Sequence, residues 1–312
     1  MSSQVVNPRT TVLPPIRDQG PAMSQKTAIG QHFRHRAGAA MGMLGFCTSW
    51  AVSQHGQGPE WLQVVALDLP LPHLPEAWRG RRIVHLSDFH LSRTVSQAFL
   101  DCCIQRVNAL DPDLVLLTGD YITYDPFGRF RKRLFTMLGR LRATHGVYAC
   151  LGNHDYGLTG PGSGRCSFRL RDITCGLRKH GVVVLRNAAR AVHLDGQALW
   201  LVGVGDLWAG DLRADRAFAK VPPQQPVIVL VHNPRAVDHF KDYVYGAVVS
   251  GHTHGRQIKW AGSGRYRRIR NRRYHAGLYD LDGGKLYVTR GLGRLGSLSF
   301  SARPEITVLR LI

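Results

Sequence analysis

Five short segments of this chain carry Asp, Asn or His directly after apolar runs. They are residues 87–90 (SDFH), 119–120 (GD), 152–155 (GNHD), 232–233 (HN) and 251–254 (GHTH). Carboxylate oxygen, imidazole nitrogen and amide oxygen together suit divalent ions such as zinc, iron and manganese. The candidate ligands are Asp88, His90, Asp120, Asn153, His232, His252 and His254. This set is large enough for two ions that share a bridging carboxylate, and such a pair of ions implies a reaction, not only binding.

The spacing within the segments also favours a shared site. Asp88 and His90 are separated by one residue, as are His252 and His254. Side chains two residues apart point to the same side of an extended backbone. Glycines begin three of the segments, and glycine allows the sharp turns and close backbone approaches that a compact site needs.

The apolar runs before the segments predict buried strands that carry the candidate ligands to one edge of a sheet. These strands are predicted at residues 83–86, 114–117, 147–151, 227–231 and 247–250, and others at 62–67, 182–185, 191–194, 199–204, 279–281, 286–289 and 306–311. Helices are predicted over residues 96–110, with Ser96 as N-cap, and over 127–143 and 168–180. Strand–helix alternation followed by hairpins predicts an α/β fold with two sheets in contact and helices outside.

The motifs resemble those of the calcineurin-like metallophosphoesterases. D-x-H, G-D, G-N-H-D, a single His and G-H-x-H follow in that family's order, and the resemblance covers residues 80–312. The flanking stretches HLSDFHLS, LLTGDYI, LGNHDYG and SGHTHGRQI are similar to a branch of membrane-associated bacterial phosphohydrolases. That branch includes relatives of the lipid A pathway hydrolase that acts on UDP-2,3-diacylglucosamine. The resemblance implies a four-layer α-β-β-α sandwich of two mixed sheets flanked by helices.

The resemblance also implies a role for each candidate ligand. Asp88, His90 and His254 would hold a first metal, Asn153, His232 and His252 would hold a second, and Asp120 would bridge them. A hydroxide between the ions, with its pKa lowered towards about 7, would attack phosphorus in line. The two divalent ions could be Mn, Fe, Zn, Ni or Mg, because all of them accept these ligand types.

Other residues in and near the motifs are expected to have roles other than metal binding. His154 would stay off the metals and face the leaving group, as a proton donor or a stabiliser of charge. Asp155 is expected to orient the loop and His85 to be structural. Arg256 and Arg303 are candidate substrate contacts.

The charge balance favours an anionic partner. The chain has 41 Lys and Arg residues against 21 Asp and Glu residues, a net charge of +20. Two basic stretches, residues 127–142 and 255–275, contain no acidic residue. Contact with an anionic membrane or lipid headgroup is the leading interpretation, since each cation near such a surface contributes roughly 1 kcal/mol. A basic surface that only keeps the protein soluble is the alternative, and nucleic acid is disfavoured because no aromatic-interleaved nucleic-acid signature supports it.

The chain before residue 60 is expected to lie outside the catalytic domain. Residues 1–33 are polar and without periodicity, which predicts a disordered tail. Residues 34–56 include an uncharged apolar run at 37–52 that could be a signal-peptide core, a weak anchor or an amphipathic segment. If the run spans the membrane, the basic residues before it favour a cytoplasmic N-terminus. The catalytic domain would then lie on the non-cytoplasmic side. A lipid A precursor requires the cytoplasmic face, so an interfacial segment at the bacterial inner membrane is the expectation, and export is the alternative.

The six cysteines form no CxxC pair, so they are expected to be mostly free thiols or buried apolar residues. Cys166 and Cys175 could pair if the chain were exported.

The leading hypothesis for function is a binuclear metal-dependent phosphoester or pyrophosphate hydrolase. Its expected substrate is lipid-linked or a UDP-acyl-sugar at the inner membrane. A general phosphodiesterase acting on soluble nucleotides or nucleic acid is one alternative. A non-catalytic metal-binding scaffold is another, which the intact ligand set disfavours. The oligomeric state stays open.

Overall fold

The structure is a computed structural model that describes most of the chain from Trp61 onward. The described residues are 11–12, 61–93, 95–123, 125, 127–158, 167–259, 266–268, 273–293, 299–300 and 302–312.

The first sheet has seven strands in the spatial order β1-β2-β16-β3-β4-β5-β6. Strands β3 to β6 run parallel to one another, while β16 is antiparallel to β3. The bounds are β1 (Thr11–Val12), β2 (Gln63–Leu69), β3 (Arg82–Leu86), β4 (Leu114–Leu117), β5 (Val147–Ala149), β6 (Val182–Val184) and β16 (Glu305–Leu311).

The second sheet has six strands in the spatial order β13-β14-β10-β9-β8-β7. Its four central strands, β14, β10, β9 and β8, are parallel, and antiparallel strands close both edges. The bounds are β7 (Ala188–Leu194), β8 (Gln197–Gly203), β9 (Val227–Leu230), β10 (Ala247–Ser250), β13 (Gly277–Leu281) and β14 (Gly284–Val288). A small third sheet contains β11 (Gln257–Lys259), β12 (Tyr266–Arg268) and β15 (Ser299–Phe300).

The helices of the described residues flank the two large sheets. They are α1 (Gln97–Ala109), α2 (Arg131–Leu138), α3 (Ser167–Lys179) and α4 (Ala214–Phe218), with 3-10 turns at Glu76–Trp78, Asn153–Tyr156, Pro234–His239 and His254–Arg256. The predicted N-cap of α1 is confirmed, since the Ser96 hydroxyl accepts a hydrogen bond from the Phe99 amide at 3.2 Å.

The basic helix predicted over residues 127–143 is shorter than expected. Asp125 accepts hydrogen bonds from the amides of Arg129, Phe130 and Arg131, so the chain up to Phe130 is a capped turn. Gly139 then caps the other end. Gly128 and Gly139 both lie inside the predicted range and disfavour helix, and they mark the two ends that the basic composition alone did not show.

Side chains on opposite faces of the strands form three apolar layers, one between the two sheets and one on the outer face of each sheet. Ile83 faces the core between the two sheets, whereas Val84 faces the helices outside the first sheet. In the second sheet Ile228 faces the central core and Val229 faces the layer that includes α4. This alternation is what a strand buried on both faces requires. The predicted α-β-β-α sandwich is therefore confirmed.

The parallel strands of both sheets end at the same edge of the sandwich. Asp88 follows β3, Asp120 follows β4, His232 follows β9 and His252 follows β10. The carboxyl ends of parallel strands are where open sheets leave crevices for ligands. The fold thus gathers residues that are far apart in the sequence, such as His90 and His254, which are 164 positions apart and in contact.

The N-terminal region is described at one point only. Thr11–Val12 pairs antiparallel with β2, so these two residues of the tail predicted to be disordered form an edge strand instead. Both residues are β-branched, which suits a strand. The predicted apolar segment at 34–56 lies outside the described residues. Among the helices that the structure describes, none is long and apolar enough to cross a membrane.

The described cysteines are free thiols, as expected: Cys102, Cys103, Cys150 and Cys175. Cys47 and Cys166 lie outside the described residues.

Replacing Gly119 with alanine is expected to lower the free energy of unfolding by about 2–4 kcal/mol. Gly119 has a φ of 91°, and an added Cβ would overlap the backbone of Gly152 where β4 and β5 end together. Chemical denaturation measures the loss. Gly181→Ala is the matched control, because Gly181 is also left-handed (φ 82°) but its Cβ would meet no atom within 4 Å. The control should lose only about 1–2 kcal/mol, and equal losses would contradict the close approach of the two strand ends.

Candidate metal centre

The first group of candidate ligands contains Asp88, His90 and His254. Their ligand atoms all lie within 4.8 Å of one another, and the side chains are buried. The Nε2 atoms of His90 and His254 are 3.1 Å apart, and Asp88 Oδ1 is 3.8 Å and 3.4 Å from them, respectively. Such a group can hold one divalent cation.

The second group contains Asp120, His232 and His252, whose ligand atoms also lie within 4.8 Å of one another. Asp120 Oδ2 is 3.1 Å from His232 Nε2, and His232 Nε2 is 3.2 Å from His252 Nδ1. The same Asp120 oxygen is 3.6 Å from His90 Nε2 in the first group. Asp120 is therefore a member of the second group that also contacts the first group.

Hydrogen bonds on the far side of each imidazole orient the rings. His232 Nδ1 lies 2.7 Å from the Thr118 carbonyl oxygen, which can only accept, so Nδ1 carries the proton. His90 Nδ1 lies 2.9 Å from the Thr123 hydroxyl. A partner that fixes one ring nitrogen presents the other nitrogen to a metal. The Nε2 atoms of both histidines are thus directed at Asp120.

The charge of Asp120 dominates the electrostatics of the site. Burial lowers the pKa of His232, but the charge and hydrogen bond of Asp120, together with the charges of Asp88 and Asp206, outweigh burial and raise that pKa to about 10. Burial raises the pKa of Asp120, while His232 and His154 bring it well below its ordinary value. Burial is the largest cause that lowers the pKa of His90 and of His254. Neutral imidazoles and an ionised carboxylate are the forms that bind metals, so a metal at this site would have to displace a proton from His232.

Five candidate ligands have left-handed backbone conformations. They are Asp88, His90, Asp120, His252 and His254, with φ between 46° and 70°. They make up half of the ten non-glycine residues with positive φ in the described part of the chain. Each such residue is disfavoured by roughly 1–2 kcal/mol. Strain concentrated in this way is typical of functional sites, where the surrounding structure holds it in place.

Asn153 completes the donor set. Its amide nitrogen donates to the Leu158 carbonyl at 3.2 Å, which leaves the carbonyl oxygen Oδ1 buried with no hydrogen-bond donor among the described residues. An unsatisfied buried acceptor is unfavourable by about 1–3 kcal/mol. A cation would satisfy it, so the residues present fit a pair of divalent ions.

His154 lies beside both groups without belonging to one alone. A ring nitrogen of His154 is within 4.8 Å of the ligand atoms of His90 and Asp120. Its backbone amide donates to Asp120 Oδ1 at 2.9 Å, and its Nδ1 lies 3.3 Å from the Thr123 carbonyl oxygen. Nδ1 therefore carries a proton towards that carbonyl, and Nε2 is the nitrogen available to a ligand or substrate.

Asp155 fixes the loops that carry the ligands, as the sequence predicts. Its carboxylate accepts hydrogen bonds from the amides of Gly152 at 2.8 Å, Asp120 at 2.9 Å and Tyr121 at 3.1 Å. Burial, followed by the charge of Asp120, raises the pKa of Asp155 to about 7. The loops after β4 and β5 are thus tied together by one side chain.

The remaining predicted residues lie in different surroundings. His85 is buried against the Thr118 hydroxyl, 2.9 Å from its Nε2, and burial lowers its pKa to about 3, in agreement with a structural role. The Arg303 guanidinium donates to the Trp61 carbonyl at 2.9 Å and lies 5.1 Å from the Trp61 ring centre. The backbone of Arg256 ends the 3-10 turn that begins at His254, and its side chain lies outside the described part of the structure.

Sequence reasoning missed Asp206 and Trp208, which lie beside the second group. The Trp208 ring meets the His252 ring edge-on, with centroids 4.4 Å apart, and Asp206 is buried. The signal was present, because the pair Gly205-Asp206 follows strand β8 just as Gly119-Asp120 follows β4.

Comparisons with known proteins give the family. The family profile described as "Calcineurin-like phosphoesterase" matches residues 81–256, a span that contains all seven candidate ligands. The phosphodiesterase YaeI of Escherichia coli K12 is 34% identical over 236 residues, which cover 74% of this chain and 82% of YaeI. The UDP-2,3-diacylglucosamine pyrophosphatase LpxG of Chlamydia trachomatis is 30% identical and covers 85% of this chain and 93% of LpxG.

The chain belongs to the calcineurin-like phosphoesterase family, as its motifs predict. It is therefore a hydrolase of phosphoester bonds, and the alternative of a non-catalytic scaffold is set aside.

Replacing Asp155 with alanine is expected to lower the free energy of unfolding by about 3–5 kcal/mol, because three buried amides lose their acceptor. Denaturant titration followed by circular dichroism measures the change. Asp155→Asn keeps the shape and one acceptor oxygen, so its loss should be clearly smaller. An unchanged stability for the alanine variant would contradict the role of Asp155 in holding the loops.

Proposed function

We propose that this protein is a binuclear metal-dependent hydrolase of phosphodiester or phosphoanhydride bonds. The observation that carries the proposal is that Asp120 belongs to one group of converging ligands and also contacts the other. A site for one ion would need only one of these groups. A carboxylate within reach of both suits a pair of ions that share a ligand.

The two groups support the following ligand assignment, and Asn153 is added to it because its buried Oδ1 has no donor among the described residues. Asp88, His90 and His254 hold one ion, Asn153, His232 and His252 hold the other, and Asp120 is shared. Mn, Fe, Zn, Ni and Mg all accept these ligands, so the donor set leaves the identity of the ions open. When bound, such ions act as Lewis acids on the phosphoryl oxygens and lower the pKa of water.

His154 is proposed to serve the leaving group. Its Nδ1 is held by the Thr123 carbonyl and its backbone amide by Asp120, so the ring has a fixed position near both ligand groups. In the imidazolium form both ring nitrogens carry a proton, and Nε2 would then donate a proton, or a hydrogen bond, to the leaving oxygen and leave a neutral ring.

The proposed substrate class is a lipid-linked phosphate or a UDP-acyl-sugar pyrophosphate. Its main support is the similarity to LpxG, which extends over 85% of this chain. The similarity to the phosphodiesterase YaeI favours a second candidate, a general phosphodiesterase for soluble substrates.

A cationic surface near α2 supports access from an anionic membrane at the cytoplasmic face of the inner membrane. Phe127 is 82% exposed, and the guanidinium of Arg129 lies 5.8 Å from its ring centre. An exposed aromatic residue beside cations suits a membrane surface. Among the described residues, no ion pair involves Arg129, Lys132, Arg133 or Arg142.

Not every cation of the basic stretches is free for such contact. Arg131 pairs with Asp125 at 3.4 Å and also with Asp172, and Arg140 pairs with Asp101 at 2.6 Å. In the second stretch Arg273 pairs with Asp238 at 3.2 Å, and most of that stretch lies outside the described residues.

Replacing Asp120 with asparagine should reduce hydrolysis of bis-p-nitrophenyl phosphate in Mn²⁺ by on the order of 10³-fold, because the shared anionic ligand is lost. The asparagine oxygen still accepts from the His154 amide, so the local fold should persist. Asp101→Asn is the control, since it removes a carboxylate that pairs only with Arg140 among the described residues. Activity of Asp120→Asn close to that of the control would contradict the assignment.

The substrate class is tested with the full chain and Mn²⁺ on two substrates. UDP-2,3-diacylglucosamine in mixed micelles is expected to be hydrolysed with a kcat/KM at least about tenfold above that for a soluble cyclic nucleotide, since binding the remote acyl and nucleotide groups lowers the barrier. Liquid chromatography with mass spectrometry follows both products. The reverse preference would favour the general phosphodiesterase.

A further inference from the structure

Asp206 presents a buried carboxylate oxygen with no hydrogen-bond partner. The residue follows the end of β8 and is 1% exposed. Its Oδ1 atom accepts a hydrogen bond from the Ala209 amide at 2.8 Å. Its Oδ2 atom is buried and meets no hydrogen-bond donor among the described residues. A carboxylate oxygen deprived of both water and a donor is strongly unfavourable, so a missing partner is implied.

The surroundings of Asp206 indicate what that partner is. Burial raises the pKa of Asp206 to about 6, while the charge of nearby His232 lowers that pKa and the charge of Asp120 raises it. Trp208, two residues further on, packs edge-on against His252. The loop at residues 204–213 therefore runs beside the half of the site that contains His232 and His252.

The loop that carries Asp206 is held rigidly. Asp211 accepts a hydrogen bond from the Tyr156 hydroxyl at 2.6 Å and forms a two-pronged pair with Arg186 at 2.6 and 2.7 Å. The Asn187 side chain donates to the Asp211 carbonyl at 2.7 Å and accepts from the Gly205 amide at 2.8 Å. Tyr156 belongs to the same 3-10 turn as Asn153 and His154, so the loop is tied directly to the proposed site.

We propose that Asp206 is an additional residue of the metal centre, whose free carboxylate oxygen stabilises the cation held by Asn153, His232 and His252, directly or through one water. A cation, or a water bound to it, supplies the partner that Oδ2 lacks. Asp206 acts on the ion and not on the substrate, and its charge raises the affinity for that one ion. The inference rests on the proposed function, since it requires an ion in that half of the site.

Calorimetric titration of the metal-stripped full chain with Mn²⁺ tests this role. Wild-type protein should bind two ions, and Asp206→Asn should bind one of them about 10–100-fold more weakly, as found when groups around metal ligands are lost. The other ion should bind as in wild type. Asparagine keeps the oxygen that accepts from Ala209, so the loop should retain its conformation.

Asp215→Asn provides the control close to this loop. It removes the charge of an exposed carboxylate in the first turn of α4, and it should leave both Mn²⁺ affinities within about twofold of wild type, because water and salt screen an exposed charge. If Asp206→Asn does not fold, Asp206→Ser keeps a short acceptor for Ala209 and takes its place. Thermal unfolding of the metal-stripped variants separates loss of folding from loss of affinity.

Electron paramagnetic resonance with two equivalents of Mn²⁺ gives an independent readout. Wild type should show the spin-coupled signal of two neighbouring ions, and Asp206→Asn should show mainly the signal of an isolated ion. Two ions bound by Asp206→Asn with wild-type affinities would overturn the role of Asp206 and leave the proposed function intact. Wild-type protein that binds only one ion would instead overturn the binuclear function.

Discussion

Four imidazole nitrogens that meet in two close pairs inside a buried site are the constraint on which the site depends. Two imidazole nitrogens, from His90 and His254, lie 3.1 Å apart, and two more, from His232 and His252, lie 3.2 Å apart. Neighbouring lone pairs repel unless a proton or a cation lies between them, and burial removes the water that would screen them. The structure around the site serves to hold this arrangement, and divalent cations are the species that it accommodates best.

The sandwich holds the arrangement by joining the edges of its two sheets. The backbone amide of His252, after a strand of the second sheet, donates to Asp88 Oδ2, after a strand of the first, at 3.0 Å. Gly251 makes this approach possible, because a Cβ there would overlap the side chains of Ser87 and Asp88. The apolar layer between the sheets supplies the burial that offsets the strained ligand backbones. Ligand geometry and core packing are therefore parts of one structure.

The sequence predicted the site better than it predicted its surroundings. Ligand type and order can be read directly from the sequence, and the strands before Asp88 and Asp120 are visible there as apolar runs. The structure contains both predicted strands. The length of α2 depends on a cap by Asp125, which composition does not reveal. Ion pairs such as Arg140 with Asp101 join residues far apart in the sequence. Some cations of the stretch at 127–142 therefore have acidic partners that the sequence alone does not show. Asp206 repeats the local pattern of Asp120, but only the folded structure brings it beside His232.

Anomalous X-ray scattering from crystals of the full chain grown with Mn²⁺ tests the central claim most directly. The account predicts two peaks about 3.5–4 Å apart, both in contact with Asp120. One peak should lie against Asp88, His90 and His254, and the other against Asn153, His232 and His252. A single peak, or two peaks that do not share Asp120, would contradict it.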